Sequence, residues 1–357
     1  MRVPIDYKNI LPEKSLPIVI IGASGIVKDA HLPAYKEAGF NVHALVNRTI
    51  EKAETLAKQY GIAHVYSTVD EAVANAPKDA VYDITVMPEL FPEILNKLPN
   101  GSCALIQKPM GDNLAQAKEI LQICKDKNIT AAVNFQLRQA PYINAARFLI
   151  NQGYIGELYD MEVKVTVETP WELFPIIMHH PRLEILYHSI HYIDLIRSFL
   201  GDPNRVYARS FNHPEKELSS SRTTIIMDYK DSLRAVVNTN HDHHFGSENQ
   251  ESYIKWEGTK GAIKVQMGLL MNYPEGSVDK FQYCLKNEQG DYTWREEAIE
   301  GTWFPDAFIG SMGSLMRYKL GETDFLPASV EDVLGTMVVV DKAYESSDKG
   351  GEVVSPK

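Results

Sequence analysis

From residue 16 the chain alternates short apolar runs with longer amphipathic ones. LPIVIIG (16–22) is continuous, β-rich and ends on glycine, the pattern of a strand buried on both faces. A helical stretch follows to about Ala38. FNVHALVN (40–47) predicts a second strand, and IEKAETLAKQYG (50–61) a helix closing on glycine. VYDITVM (81–87), SCALIQK (102–108) and TAAVNF (130–135) predict further strands, with NLAQAKEILQICKDKN (113–128) a helix between the last two. Such alternation builds right-handed βαβ units and a doubly wound parallel sheet.

The period changes near residue 150. After a helix at 141–151, ELYDMEVKVTVE (157–168) alternates like a half-exposed strand, and another helix is expected near 183–200. NRVYARSF (204–211), TTIIMDY (223–229), LRAVVNTN (233–240), YIKWEG (253–258), AIKVQM (262–267) and DKFQYCLKN (279–287) then follow without intervening helices, as in an antiparallel sheet. VEDVLGTMVVVDKAYESS (330–347) predicts a closing amphipathic helix. The expectation is an α/β domain over 1–140 and an α+β domain with a large, mainly antiparallel sheet over 141–357, the last helix packing back on the first domain. A length of 357 residues suits two cores better than one.

Composition narrows this only slightly. Lys plus Arg number 36 against 47 Asp plus Glu, a net charge of −11 with no basic block, which argues against nucleic-acid binding. Cys103, Cys124 and Cys284 are odd in number and far apart, suggesting neither a disulfide framework nor a thiolate metal site. No signal-like or membrane-spanning run is evident, so a cytoplasmic protein without membrane attachment is expected.

The first strand runs into Gly22-Ala23-Ser24-Gly25-Ile26-Val27. A glycine-rich turn between strand and helix presents backbone N–H groups and a positive helix end to a pyrophosphate. The dinucleotide fingerprint asks for glycine at 22, 24 and near 27; the chain has Gly22, then Ser24, Gly25 and Val27, so a purely structural turn is the alternative. The second strand ends in Asn47-Arg48 rather than in the acidic residue that binds the NAD ribose. Arg48 could pair with a 2′-phosphate, stack on adenine or lie in solvent; the balance favours NADP over NAD.

Three segments together resemble the Gfo/Idh/MocA (glucose–fructose oxidoreductase/inositol dehydrogenase) family: the loop with His31-Leu32-Pro33-Ala34 after it, Gln107-Lys108-Pro109 in place of Glu-Lys-Pro at a strand end, and His188-Ser189-Ile190-His191-Tyr192-Ile193-Asp194-Leu195 in the second domain. VNFQLRQAPYINAARFLINQGYIGELY (133–159) is similar to the family's crossover between domains. The resemblance implies a Rossmann domain and NAD(P) held by Gly22, Ser24, Gly25, Ile26, Asn47, Arg48, Met87, Pro88, Gln107 and Lys108. It also implies hydride transfer at a secondary hydroxyl or ketone of a sugar, glycoside or polyol, and a homo-oligomer (dimer or tetramer) formed through the second sheet.

Within that resemblance Lys108 would stabilise the developing alkoxide and His191 would be the general acid/base, imidazole titrating near neutrality. The structural alternatives are a strand-end lysine in solvent and a core histidine. On a uniform helical period Tyr187, Asp194 and Ser198 share a face with His191. Tyr187 stands where the family often has Asp, so it either assists catalysis or shapes the pocket. Gln107 removes a charge beside Lys108.

Eleven histidines are present. Glu184, His188 and His191 fall at i, i+4, i+7, from which a metal site could be drawn; the favoured reading has no metal, with Trp171, His188 and their neighbours lining a polar aromatic sugar pocket. Gln136 and Arg138 are candidate substrate contacts, with a domain-interface ion pair the alternative, and Asn134 and Trp303 are undecided. Two other functions stay open: a non-catalytic NAD(P)-binding regulator, and a metal-dependent sugar lyase or isomerase.

Overall fold

The computed structural model describes residues 3–230, 232–287 and 290–352. Its contacts divide the chain into two compact units. One comprises Lys8–Asn144 and Gly301–Met337; the other holds the N-terminal residues up to Tyr7, Ala145–Glu300 and the stretch from Val338 onward. A single cut at residue 140 therefore does not describe the packing, because 301–337 groups with the N-terminal half.

The first unit is a six-stranded parallel sheet: β1 Ile18–Ile21, β2 Val42–Val46, β3 His64–Tyr66, β4 Val81–Ile84, β5 Cys103–Gln107 and β6 Thr130–Asn134. The order is β3-β2-β1-β4-β5-β6. β1 and β4 are buried along their whole length, which explains the unbroken apolar run of β1 and leaves Asp83 as a buried charge within β4. The chain reverses direction of growth between β1 and β4, and in such sheets ligands bind beyond the strand C-termini at that point. β3 has no counterpart in the sequence reading, since its three residues are partly exposed and carry no apolar run.

The helix Asp306–Lys319 was also illegible, because Gly310 and Gly313 interrupt it. It supplies Phe308, Met312, Leu315 and Met316 to the core around Ile18, Ile20 and Leu45. A Cβ at Gly310 would lie 2.5 Å from Asn9 Oδ1 and 2.6 Å from Gln139 Cβ, so the glycine permits close packing at a cost in helix propensity.

The second unit is an eight-stranded sheet: β7 Leu158–Thr166, β8 Arg205–Phe211, β9 Arg222–Lys230, β10 Leu233–Asn240, β11 Glu251–Gly258, β12 Gly261–Gln266, β13 Lys280–Lys286 and β14 Tyr292–Glu297. The order is β14-β13-β12-β11-β7-β10-β9-β8, antiparallel except for the β7–β10 pair. Met161, Val163 and Val165 of β7 face the core with Ala235 and Val237 of β10, while alternate residues face outward. That outer face carries the exposed pair Tyr207 and Ile226, in register across β8–β9, and Trp294 on β14.

The helix expected near 183–200 is present with one correction. Residues Ile185–Ser189 form a π-helical turn before the α-helix Ile190–Leu200. The i→i+5 pattern inserts extra rotation just ahead of His191, so offsets counted on a 3.6 period fail on its N-terminal side.

Candidate active site

The strand–turn–helix at residues 18–37 sets the phosphate loop. Gly22 has φ +117°, and a Cβ there would stand 2.5 Å from Thr85 Oγ1 and 2.9 Å from the Thr85 carbonyl oxygen. Its N–H donates to Val46 O at 2.8 Å, locking the β1 end against β2. Glycine is thus demanded by backbone and neighbours together. Gly25 is different: a Cβ there would meet only Asp29 Oδ2, at 3.9 Å. The Ser24–Gly25 tip is exposed at the start of the helical segment, where the N–H groups of Val27 and Lys28 close the turn on Ser24 O at 3.1 and 3.2 Å; the open tip and the positive helix end fit a pyrophosphate. Gly22→Ala should cost about 2–4 kcal/mol in chemical denaturation. Gly25→Ala should leave stability near wild type while weakening dinucleotide binding; equal losses at both positions would contradict this division.

Just beyond the loop is another π-helical turn, Val27–His31. It ends on a buried triad absent from the sequence reading: His31 Nδ1 lies 2.7 Å from Asp83 Oδ2, and the Tyr35 hydroxyl donates to the same oxygen at 2.7 Å. Burial, then the Asp83 charge, pushes the Tyr35 phenol well above its ordinary value, so it remains a donor.

At the end of β2 Asn47 is half-buried, its side chain donating to Thr49 O at 2.7 Å, and Arg48 is exposed. After β4, Met87 and Pro88 enter a short 3-10 turn. Gln116 ties this turn to the loop after β5: its Nε2 donates to Pro88 O at 3.3 Å, and its Oε1 accepts from Asp112 N at 2.8 Å. Lys108 follows β5 directly and is half-buried, with a cis peptide to Pro109. Burial lowers its amine to about 8.

Asn134 pairs in register with Gln107, and a 3-10 turn over Gln136–Gln139 follows. Arg138 is buried and its Nη1 donates to Asp332 Oδ2 at 2.7 Å, an ion pair inside this unit. Trp303 is buried and stacks on Phe304.

In the second unit His191 is 8% exposed, on the first turn after the π-helical turn. Asp194 is fully buried, and Ser198 Oγ accepts from Arg147 at 2.9 Å. Tyr187 is buried with its ring edge-on to His180 at 5.0 Å. His188 is half-buried and meets Trp171 edge-on at 5.1 Å and His241 at 4.6 Å; Trp171 and His241 are 5.8 Å apart. The structure thus groups Trp171 and His188 and adds His241, whose distance in sequence concealed it.

Beneath this box Glu184 is fully buried. Its Oε1 accepts from Ser189 Oγ at 2.7 Å and Thr239 Oγ1 at 2.9 Å, and lies 3.4 Å from His241 Nε2. His241 Nδ1 in turn meets Thr169 Oγ1 at 3.0 Å. The i→i+5 turn is what brings Ser189 over Glu184. Among the described residues no group of three or more His, Cys, Asp or Glu is arranged to hold a metal ion. Burial pushes the Glu184 carboxyl up, but hydrogen bonds and charge from His241 and the hydroxyls outweigh it and the net shift is downward. Its stabilisation is therefore present above the ordinary carboxylate range and is lost as pH falls through the lowered value. Glu184→Ala should cost about 3–5 kcal/mol at neutral pH in urea unfolding, by removing the buried carboxylate that accepts from Ser189 and Thr239 and faces His241. The deficit should narrow in acid; a constant deficit would refute the ionised assignment.

Residues 16–135 match an oxidoreductase family with an NAD-binding Rossmann fold, and residues 143–264 match the GFO/IDH/MocA C-terminal domain. The chain belongs to the Gfo/Idh/MocA oxidoreductases. Among its relatives in this family, D-apiose dehydrogenase from Rhizobium rhizogenes is 25% identical, over 90% of this chain and 92% of that one. The 1,5-anhydro-D-fructose reductase of Ensifer adhaerens is 24% identical over 76% and 80%. An Agrobacterium radiobacter oxidoreductase solved with NAD+, L-tartaric acid and magnesium superposes with a TM-score of 0.79 at 20% identity, covering 95% and 98%. This Gfo/Idh/MocA oxidoreductase has, among the described residues, no helix long and apolar enough to cross a membrane.

Proposed function

We propose that this protein is a cytoplasmic NAD(P)-dependent dehydrogenase or reductase acting on a secondary hydroxyl or ketone of a sugar, glycoside or polyol. The observation that carries the reading is Lys108: a half-buried amine at a strand C-terminus in the nucleotide-binding unit, lowered to about 8 by burial. A lysine held in this way is a functional candidate, since structural lysines extend into water. The sugar assignment rests on the relatives named above, a D-apiose dehydrogenase and a 1,5-anhydro-D-fructose reductase.

When bound, the nicotinamide supplies the hydride acceptor or donor. Gly22, Ser24, Gly25 and Ile26 would hold the pyrophosphate, with Asn47, Arg48, Met87 and Pro88 around the adenosine half and Gln107 toward the nicotinamide half. The exposed Arg48 and the lack of a carboxylate at Asn47 favour NADP. In the nucleotide-binding unit Lys108 would stabilise charge on the reacting oxygen; the second unit offers His191 as the proton-transfer group, with Tyr187 as an assisting residue. Tyr207, Ile226 and Trp294 on the outer face of the second sheet would serve a homo-oligomer. The test is a panel of aldoses, glycosides and polyols with NAD and NADP. Reduced nicotinamide formed with one of them, faster with NADP, supports the reading; cofactor binding without turnover across the panel would favour a nucleotide-sensing regulator.

A further inference from the structure

A cluster of side-chain amides with unpartnered buried atoms lies at the C-terminal edge of the first sheet. Asn134 is fully buried and Gln136 is 1% exposed. Both amide atoms of each lack a hydrogen-bond partner, as does the buried Oε1 of Gln107. Gln107 and Asn134 are paired in register on parallel β5 and β6, so their side chains leave the sheet on the same face, and Gln136 begins the turn two residues on. Lys108 is the next residue along. Buried polar atoms in native proteins are nearly always satisfied, and five orphans at one strand end point to a group from outside the chain.

The required ligand is narrowly defined. Two complete amides offer both donors and acceptors in a site from which water is largely excluded, and no charged side chain belongs to the cluster. A primary carboxamide presents one acceptor and two donors in a plane, the complement of what the amides offer. We propose that Gln107, Asn134 and Gln136 form a carboxamide-recognition site that fixes the nicotinamide ring of the cofactor beside Lys108. The inference rests on the cofactor reading above. Asn134 and Gln136 thereby act on ring placement, and Gln107, where the family motif has Glu, adds a neutral group that does not repel the carboxamide oxygen through charge.

Calorimetric binding to the full chain separates the two claims. The probes are the reduced dinucleotide that wild type prefers and the matching ADP-ribose, 2′-phosphorylated if that dinucleotide is NADPH. Asn134→Leu and Gln136→Leu should bind the dinucleotide about 10–100-fold more weakly and the ADP-ribose within twofold of wild type, because a site built for hydrogen bonding penalises their loss heavily. Thermal melting of the ligand-free variants should be unchanged or higher, since an orphaned amide has been replaced by an apolar group of similar shape. Wild type should also bind the reduced 3-acetylpyridine analogue, which lacks the amide donors, at least tenfold more weakly; this arm needs no variant to fold. Equal affinities for the dinucleotide and its acetylpyridine analogue would overturn the proposal, as would variants that bind the dinucleotide like wild type. Parallel loss of dinucleotide and ADP-ribose would do the same. Failure of wild type to bind either probe would instead remove the cofactor reading itself.

Discussion

Lys108→Ala is expected to lower turnover about 10²–10⁴-fold while leaving dinucleotide affinity within a few-fold of wild type. The physical basis is a cation held where water is scarce, so that its charge acts on the reacting oxygen with little screening. Burial lowers the amine to about 8, which gives the enzyme a pH signature. If the ammonium form stabilises the alkoxide, kcat/KM should fall as pH rises past about 8. Lys108→Arg keeps its charge throughout that range and should lose this alkaline limb even if its rate is reduced by a poorer fit. Stopped or steady-state assays across pH 6–10 would show both effects. Undiminished turnover in the alanine variant would sink the assignment, and an alkaline limb that persists in the arginine variant would move it to another group.

The parts of this architecture that were legible in the sequence are those governed by a single period. β1 is apolar from end to end, and β4 and β5 nearly so (Asp83 and the terminal Gln107 apart), because both faces are covered, and β7, β10 and β11 alternate because one face is open. The helix Asp306–Lys319 was hidden because Gly310 answers to Asn9 and Gln139, both far away in sequence, and not to helix propensity. The His31–Asp83–Tyr35 triad and the Glu184–His241 contact were hidden for the same reason: each joins residues 48 to 57 positions apart through the sheet topology. Local signals did exist for the π-helical turns only in hindsight, as no composition rule marks an inserted residue. Both such turns flank an element assigned to function, Val27–His31 after the phosphate loop and Ile185–Ser189 before His191, in keeping with the association of π-bulges with functional sites.

That second turn makes His191 the sharper of the remaining tests. His191→Ala should reduce turnover about 10²–10⁴-fold if imidazole exchanges the substrate proton. Its burial alone would allow a core role, so the variant must be read beside its melting temperature and beside Tyr187→Phe. A general acid/base predicts loss of turnover in His191→Ala with dinucleotide affinity retained, and a modest effect, at most about tenfold, in Tyr187→Phe. The π-helical turn supports this ordering, because it displaces Tyr187 from the face that a regular helix would share with His191 and sets it against His180. Near-normal turnover in His191→Ala together with a crippled Tyr187→Phe would reverse the roles, leaving the tyrosine as the proton-transfer group where the family often carries aspartate.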